Sequence, residues 1–338
     1  MIYFDITKVG PSGHRSGLSR VSTRLRDELG ALAAPVVWPD WDRRAGPGDW
    51  FLTAELFCEA ERPGWWAFLR NPPCRLAAVF HDAIPLKYPH ITWPQSVSRH
   101  PEYMKMLAHF DRVFAVSAAS RDELTAFWRW QGVTPRAEVE VLPLGADFDG
   151  GPRAAGRAVP AVPLLLTVGI LEPRKNQLFL LERCAELWAE GLRFELHVVG
   201  RLNPHFGPPI LARLKALQRE HLGLVYHAAA SDALVNDLYA RARASVFATL
   251  AEGCGLPLLE SLWRGVPCLC SDLPVLQENA AGGGCLTAAP SDAPAWRDAL
   301  RQMLTDDALV ARLTAEAQGR GLPRWSDTAD RLRQRIAP

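Results

Sequence analysis

The chain has 338 residues, a length that favours two domains of roughly 150 residues each. Its 38 Lys and Arg residues nearly balance 37 Asp and Glu residues, and the formal charge of +1 argues against a nucleic-acid partner. The seven cysteines are odd in number and mostly lie in apolar runs, which indicates buried thiols in a reducing cytoplasm. Their spacing does not favour a zinc site.

The amino terminus enters a strand pattern directly, without the basic and apolar regions of a secretion signal. No apolar stretch approaches the ~20 residues of a membrane span. We therefore expect a soluble, cytoplasmic chain. The twelve tryptophans leave open a peripheral contact with the inner face of the membrane.

In the first half of the chain, short β-rich runs alternate with longer helical patterns, which predicts a parallel sheet covered on both faces. A stretch rich in Gly, Pro, Arg and Ala at 145–160 reads as a linker. The predicted strands are 2–6, 35–38, 50–53, 75–80, 111–116 and 139–142, and the predicted helices are 18–29, a segment after 62, 96–110 and 119–130, the last capped by Ser117 or Ser120.

The second half repeats this alternation, which predicts a second doubly wound α/β domain. Its predicted strands are 164–168, 195–199, 224–227, 245–248 and 267–270, and its predicted helices are 177–190, 209–219, 234–241, 257–264 and 294–304. We set the domains at 1–155 and 156–324, with the helix at 325–338 packing back on the first domain. The carboxyl ends of their strands are expected to face a common cleft.

The most informative segment is AEGCGLPLLE at 251–260. A strand ends, a glycine turn follows, and a helix begins with a proline near its first position. The glycines allow close backbone approach to a ligand, the helix start favours a phosphate, and a carboxylate on each side can accept hydrogen bonds from sugar hydroxyls. On spacing alone, a plain helix start with a capping glutamate is an equally good interpretation.

This segment resembles the E-x7-E donor motif of retaining GT-B glycosyltransferases of family 4 (group 1), including bacterial mannosyltransferase-like enzymes of polysaccharide synthesis. Residues 165–176, LLTVGILEPRKN, resemble the strand, glycine turn and Arg/Lys pair that open the donor domain of that family. Residues 198–200, 238–240 and 271–278 fall where the family places its next strand, helix and loop. The resemblance implies a GT-B fold, with two Rossmann-like domains facing a cleft.

The resemblance also implies roles. Glu252 would hydrogen-bond the transferred sugar and Glu260 the ribose, and Arg174 and Lys175, which follow a strand end, would neutralise a diphosphate leaving group. The remaining donor-binding positions are Gly17, Gly169, Gly200, Gly253, Cys254, Gly255 and Leu256. The family commonly has an aromatic residue where this chain has Cys254, so the shape of the sugar pocket is not transferable.

In the first half, the glycine loop 10–17 follows the first strand and opens a helix, as a phosphate-binding turn does. It departs from G-x-G-x-x-G, so a nicotinamide cofactor is poorly supported. It resembles the family loop that borders diphosphate and acceptor, which makes Gly13 and Arg15 acceptor-side candidates. A solvated basic face is an equally good interpretation of the arginines.

His81 and Asp82 end a predicted strand, where side chains project toward a ligand. A similar His-Asp pair in the family makes His81 a catalytic-site candidate, with Arg174, Lys175 and Glu252. Its neutral ring is expected to donate to a donor-sugar hydroxyl, with Asp82 or backbone fixing the tautomer. Asp82 and Ser117 are further acceptor-side candidates.

The D-x-D spacing at 40–42 occurs in metal-dependent glycosyltransferases, but three-residue matches are frequent by chance. Because cationic side chains are predicted for the diphosphate, we expect no metal and no other cofactor.

The predicted function is a retaining hexosyltransferase that takes a nucleotide-diphosphate sugar, first of all of the GDP-mannose type. Its acceptor would be a glycan or lipid-linked glycan of the cell surface. A GT-B nucleotide-sugar epimerase and a non-catalytic sugar-nucleotide-binding or scaffold protein are the alternatives. The oligomeric state is not predicted.

Overall fold

The structure is a computed structural model that describes residues 1–9, 17–39, 45–147, 151, 153 and 161–336. The chain divides into two compact units. Unit 1 comprises Met1–Gly145 and Pro323–Pro338, and unit 2 comprises Ala146–Leu322. The D-x-D spacing at 40–42, the candidates Gly13 and Arg15 and most of the predicted linker lie outside the described residues.

The described part of unit 1 has a six-stranded parallel sheet with the strand order β2-β1-β3-β4-β5-β6. Its strands are β1 Ile2–Asp5, β2 Ala33–Val36, β3 Trp50–Thr53, β4 Arg75–Phe80, β5 Arg112–Ala115 and β6 Glu138–Val141. Its helices are α1 Gly17–Leu29, α2 Trp65–Arg70, α3 Ile84–Lys87, α4 Pro94–Leu107 and α5 Ala118–Trp130, with short 3-10 turns at Gly30–Leu32 and Pro89–Ile91.

In unit 2, the described residues also form six parallel strands, in the order β12-β11-β10-β7-β8-β9. The strands are β7 Leu164–Val168, β8 Glu195–Val199, β9 Leu224–His227, β10 Ala244–Phe247, β11 Cys268–Ser271 and β12 Cys285–Ala288. The helices are α6 Gln177–Ala189, α7 Pro208–Glu220, α8 Asp232–Arg241, α9 Leu256–Trp263, α10 Pro274–Ala280, α11 Ala293–Thr305 and α12 Asp307–Gly319, with a 3-10 turn at Pro173–Lys175.

The last helix, α13 Trp325–Arg335, belongs to unit 1 and packs against α1. Its Thr328 hydroxyl donates to the carbonyl of Pro143 at 2.9 Å. At Gly145, an added Cβ would lie 2.3 Å from the backbone nitrogen of Trp325, so only glycine allows this approach.

The two faces of the unit 2 sheet carry separate apolar cores, which is what a doubly wound domain requires. Alternate residues of β7 point to opposite sides. Leu165 belongs to a cluster that includes residues of α6, α7 and α11, whereas Leu164 and Leu166 belong to another that includes residues of α8. The strands are mostly apolar because both faces are covered.

The predicted α/β class with two doubly wound sheets is confirmed. The predicted cap of α5 is also confirmed, since the Ser117 hydroxyl accepts from the backbone N–H of Ser120. Four strands and helices were not predicted: the edge strand β12, helices α10 and α12, and the one-turn helix α3. Within the described residues, no helix is long and apolar enough to cross a membrane.

A buried charge cluster lies at the carboxyl ends of β1 and β3. Arg62, only 1% exposed, pairs with Asp5 and with Glu55, each at 2.6 Å. The Glu55 carboxylate also accepts from the backbone N–H groups of Lys8 and Val9 at 2.8–3.0 Å. The cluster therefore fixes the chain just after β1.

Burial and the neighbouring Asp5 raise the pKa of Glu55 to about 7, although Arg62 and the two N–H groups oppose the shift. Within unit 1, Glu61 shows the opposite balance. Burial works against its ionisation, but hydrogen bonding and the charges of Lys8 and Arg99 lower its pKa. The pKa values of Glu55 and Glu61 are thus shifted in opposite directions.

We predict that Glu55→Gln removes a pH-dependent contribution to stability. The folded protein binds the Glu55 proton more tightly than the unfolded chain does, so ionisation favours unfolding. The unfolding free energy of the wild type relative to Glu55→Gln should therefore fall as pH rises from 4.5, the ordinary value, to about 7. Urea denaturation at several pH values measures this difference.

The control is Glu61→Gln. Because folding lowers the pKa of Glu61, the unfolding free energy of the wild type relative to Glu61→Gln should fall as pH drops below 4.5. A difference for Glu55→Gln that does not vary between pH 4.5 and 7 would show that folding does not raise the pKa of Glu55.

Candidate active site

The strand order of unit 2 determines where its loops converge. From β7 the chain proceeds to β8 and β9 on one side, then returns to place β10 on the other side. The chain thus leaves the neighbouring strands β7 and β10 in opposite directions, which makes this a topological switch point. Open α/β sheets bind ligands at such a point. Both predicted donor motifs follow these two strands.

The loop after β7 presents the cationic pair on a 3-10 turn, Pro173–Lys175. Asn176 ends this turn in the left-handed conformation, with φ 57°, and α6 begins at the next residue. The carbonyl of Arg174 accepts from the N–H of Leu250 at 2.7 Å and from the hydroxyl of Thr249 at 3.1 Å. These bonds tie the β7 loop to the β10 loop.

A single oxygen of Glu252 collects three hydrogen bonds. Its Oε1 accepts from Lys175 Nζ at 2.6 Å, Thr249 Oγ1 at 2.7 Å and Arg174 Nη1 at 3.0 Å. Among the residues that the structure describes, none donates to Oε2 of the same carboxylate. The side chain is 9% exposed, so Oε1 is locked in place while Oε2 keeps its capacity to accept.

The electrostatics of this cluster follow from burial and charge. Burial alone would raise the pKa of Glu252, but the charges of Lys175 and Arg174 bring it below its ordinary value. Burial lowers the pKa of Lys175, and Glu252 opposes that shift. Glu252 is therefore an ionised hydrogen-bond acceptor at neutral pH, which is the wrong state for a general acid.

The two cations are not free for an incoming phosphate in the way the sequence suggested. Arg174 also pairs with Glu172 through Nε at 3.0 Å and Nη2 at 2.8 Å, and its Nη1 donates to the carbonyl of Ala251 at 2.9 Å. Two carboxylates, Glu172 and Glu252, thus balance the two positive charges. Lys175 Nζ also lies 4.8 Å from the ring centre of Phe247.

Glycines make this arrangement possible. At Gly200, φ is 152° and an added Cβ would lie 2.0 Å from the carbonyl oxygen of Gly169. A Cβ at Gly169 would in turn lie 3.4 Å from Lys175 Cε. Gly255 is the N-cap of α9 with φ 82°, and an added Cβ would lie 2.5 Å from Leu276. Backbone thus approaches backbone and side chain closely around the cation pair.

The turn between the glutamates is held from α10, because Asn279 Nδ2 donates to the carbonyl of Cys254 at 2.6 Å. Burial raises the pKa of the Cys254 thiol to about 12, so it is not a thiolate nucleophile. Gly253 lies in the same turn, Leu256 is the first residue of α9, and Glu260 is buried further along that helix. The predicted ligand contacts of these residues stay predictions.

In unit 1, the predicted candidates lie at the ends of the adjacent strands β4 and β5. His81 is 6% exposed, and its Nε2 lies 2.8 Å from the carbonyl of Ala54, which can only accept. The proton is therefore on Nε2, and Nδ1 is an acceptor. Burial lowers the pKa of His81, which keeps the ring neutral.

Backbone fixes the tautomer of His81, as expected, but it uses the N–H that was expected to reach a sugar hydroxyl. Asp82 accepts from the backbone N–H of Ile84 at 3.0 Å. The hydroxyl of Ser120 links the carbonyl of His81 to the Ser117 side chain. Gly17 begins α1, and an added Cβ there would meet no atom within 4 Å.

Thr249, Glu172 and Asn203 were not predicted as site residues, although the first two contact the cation pair directly. Their signal in the sequence is positional, because they follow β10, β7 and β8 respectively. No cluster of three or more His, Cys, Asp or Glu side chains that could hold a metal occurs in the described part of the chain.

Comparison with known proteins identifies the family. The protein-family model described as "Glycosyl transferases group 1" matches residues 162–306. This segment includes the cation pair, Arg174 and Lys175, and the glutamates that contact it, Glu172 and Glu252. Residues 162–306 are therefore similar in sequence to the group 1 glycosyl transferases. The family predicted from the motifs is thereby confirmed.

Curated relatives in this family are mannosyltransferases. The chain is 31% identical over 249 residues to the serotype-specific mannosyltransferase WbdA of Escherichia coli, covering 68% of this chain and 29% of that protein. It is 29% identical over 204 residues to the O-antigen chain mannosyltransferase B of E. coli, covering 58% and 52%. The chain thus spans less than a third of the length of WbdA.

Solved structures show the GT-B fold of the group 1 glycosyl transferases. Anabaena HepE, in complex with UDP and glucose, superposes with a TM-score of 0.75 at 13% identity, covering 99% of this chain and 98% of that one. Sucrose-phosphate synthase from Thermosynechococcus elongatus gives a TM-score of 0.74 at 18% identity, covering 98% and 97%. At these identities the likeness concerns the fold.

We predict that Gly200→Ala destabilises unit 2 far more than Gly191→Ala. Both glycines have positive φ, but a Cβ at Gly191 meets no atom within 4 Å, whereas one at Gly200 clashes with backbone. Backbone strain alone costs about 1–2 kcal/mol. Thermal unfolding should show a clearly larger loss for Gly200→Ala, and equal losses would contradict the close approach of Gly200 to Gly169.

Proposed function

We propose that this chain transfers a hexose from a nucleotide-diphosphate sugar to a glycan or lipid-linked glycan, with retention of anomeric configuration. The observation that carries the proposal is the Glu252 carboxylate, which has three donors on Oε1 and, among the described residues, none on Oε2. A buried, oriented, ionised acceptor suits the hydroxyls of a sugar. The names of the relatives favour mannose and cell-surface polysaccharide synthesis.

The nucleotide diphosphate would lie between the cation pair and the start of α9. The first N–H groups of a helix lack partners within the helix, and the helix dipole favours an anion there. Lys175 donates to Glu252 with one of its three N–H bonds. The other two can donate to a phosphate oxygen. Lys175 would therefore contact both Glu252, which holds the sugar, and the phosphate.

We propose retention without a covalent step on a second carboxylate. Glu252 has a lowered pKa and a saturated Oε1, which does not suit the proton transfers of a two-step covalent route. In the proposed step, the bond from the sugar C1 to the phosphate oxygen breaks and a bond from C1 to the acceptor oxygen forms. The acceptor proton passes to the departing phosphate, and the protein supplies position and charge.

In unit 1, His81 would accept a hydrogen bond from a sugar hydroxyl through Nδ1, since Nε2 donates to Ala54. Asp82 and Ser117 make local bonds to Ile84 and Ser120, so we propose that they support the shape of this strand edge. Gly17, at the start of α1, would border the acceptor.

We further propose that the reaction needs no metal, with the charge of the leaving group met by side chains and backbone N–H groups. The GDP-mannose type is the proposed donor class. The comparisons do not favour an epimerase or a binding protein, because the curated relatives matched are named as transferases.

We predict that GDP stabilises the protein more than UDP, ADP or dTDP does in a thermal-shift screen. A ligand that binds only the folded state adds roughly 2.7 kcal/mol at a hundredfold excess over its dissociation constant. Incubation with GDP-mannose and a mannose-containing acceptor, followed by mass spectrometry and NMR, then identifies product and configuration. An inverted product would overturn retention, and a larger shift with another nucleotide would overturn the donor class.

We predict that Glu252→Gln lowers kcat/KM for the donor by about 10- to 100-fold, the value of one hydrogen bond to a charged group. The amide keeps the size of the side chain but loses the charge that Lys175 and Arg174 contact. Steady-state kinetics with EDTA present measure the loss. The matched control is Glu186→Gln, which removes a carboxylate paired with Arg183 on α6 and should leave kcat/KM unchanged.

If Glu252→Gln retains full activity, the assignment of Glu252 to the donor sugar is wrong. If EDTA abolishes activity of the wild type, the reaction is metal-dependent.

A further inference from the structure

Glu172 holds one whole edge of the Arg174 guanidinium. Its Oε1 accepts from Nε at 3.0 Å and lies 2.8 Å from Nη2 in an ion pair. The opposite nitrogen, Nη1, is thereby directed at the carbonyl of Ala251 and at Glu252 Oε1. The position of Glu172 therefore decides which N–H bonds of Arg174 reach the carboxylate that we assign to the donor sugar.

Glu172 is itself held from the loop after β8. Its Oε2 accepts from Asn203 Nδ2 at 3.2 Å, and Asn203 is only 3% exposed. The Asn203 side-chain oxygen accepts from the backbone N–H groups of His205 and Phe206, and its own N–H donates to the carbonyl of Leu171. A carboxylate tied to two loops in this way has little freedom to follow a moving arginine.

A second support fixes the backbone of Glu172. Its N–H donates to Gln177 Oε1 at 3.3 Å, and Gln177 Nε2 donates to the carbonyl of Ile170 at 2.8 Å. Gln177 is buried at the start of α6. The loop between β7 and α6 is thus braced on both sides of Glu172, which is the kind of support that keeps a binding group in position.

We propose that Glu172, supported by Asn203, is a positioning residue of the donor site. It acts through Arg174, by keeping Nη1 aimed at Glu252 and away from alternative orientations that a long, flexible side chain would otherwise sample. The inference rests on the proposed function, because Arg174 and Glu252 are there the groups that meet the donor. It adds a residue, Glu172, that itself contacts neither sugar nor phosphate.

The test is a double-mutant cycle on donor turnover and on nucleoside diphosphate affinity. We expect Glu172→Ala to lower kcat/KM for the donor about tenfold. Glu172→Gln should recover part of the loss, because its amide oxygen can still accept from Nε. In an Arg174→Ala background, Glu172→Ala should cause little further loss of either turnover or affinity.

A residue that served only the folding of the loop would lower both quantities by the same factor in both backgrounds, and that result would overturn the proposal. The matched control is Glu182→Ala, which removes a carboxylate that binds Arg213 at 2.7 and 2.8 Å elsewhere in unit 2. It should leave turnover and affinity unchanged.

Affinity is measured by calorimetry with GDP or with the nucleotide preferred in the thermal-shift screen. This measurement separates the proposed transferase function from the positioning role of Glu172. A wild type that binds nucleotide without transferring sugar contradicts the proposed function, while the cycle on affinity still decides the role of Glu172. A wild type that neither binds nor transfers contradicts both.

Discussion

Three donors converge on one oxygen of Glu252, and this interaction organises the rest of the site. Lys175 and Arg174 come from one loop and Thr249 from another, and Thr249 is 75 residues from Arg174 in the sequence. The two loops meet because β7 and β10 are neighbours in the sheet. The carboxylate is their common partner. Removing its charge would leave two partly buried cations without their shared counterion, a costly arrangement in a site of low exposure.

The fold makes this convergence possible through its strand order. A chain that fills the sheet outward from β7 in one direction, then returns to fill it in the other, leaves a gap between the two sets of loops. The glycines at 169, 200 and 255 lie around that gap, where a side chain would meet backbone or a packed leucine. Glycine placement and strand order therefore specify the same position independently.

The residues that could be predicted are those whose signal is local. Periodicity located most strands and helices, and the motif at 251–260 located α9 and the first glutamate. β12 was missed because its apolar run is short and follows three glycines, and α12 because its pattern runs on from α11 after a single aspartate cap. Thr249 and Asn203 could not be assigned, because their roles depend on contacts with the distant Arg174 and Glu172.

The charge count of the cluster carries a consequence that the sequence did not suggest. Arg174 and Lys175 contribute two positive charges, and Glu172 and Glu252 contribute two negative ones, so the four groups sum to zero. A diphosphate that enters the proposed site cannot be attracted by a net positive charge of this cluster alone. Its binding must draw on the dipole and N–H groups of α9, and on the two N–H bonds of Lys175 that do not donate to Glu252. Balanced charges of this kind suit a group that must hold a leaving diphosphate in the transition state and then release it, because a strongly cationic site would bind the product as tightly as the transition state.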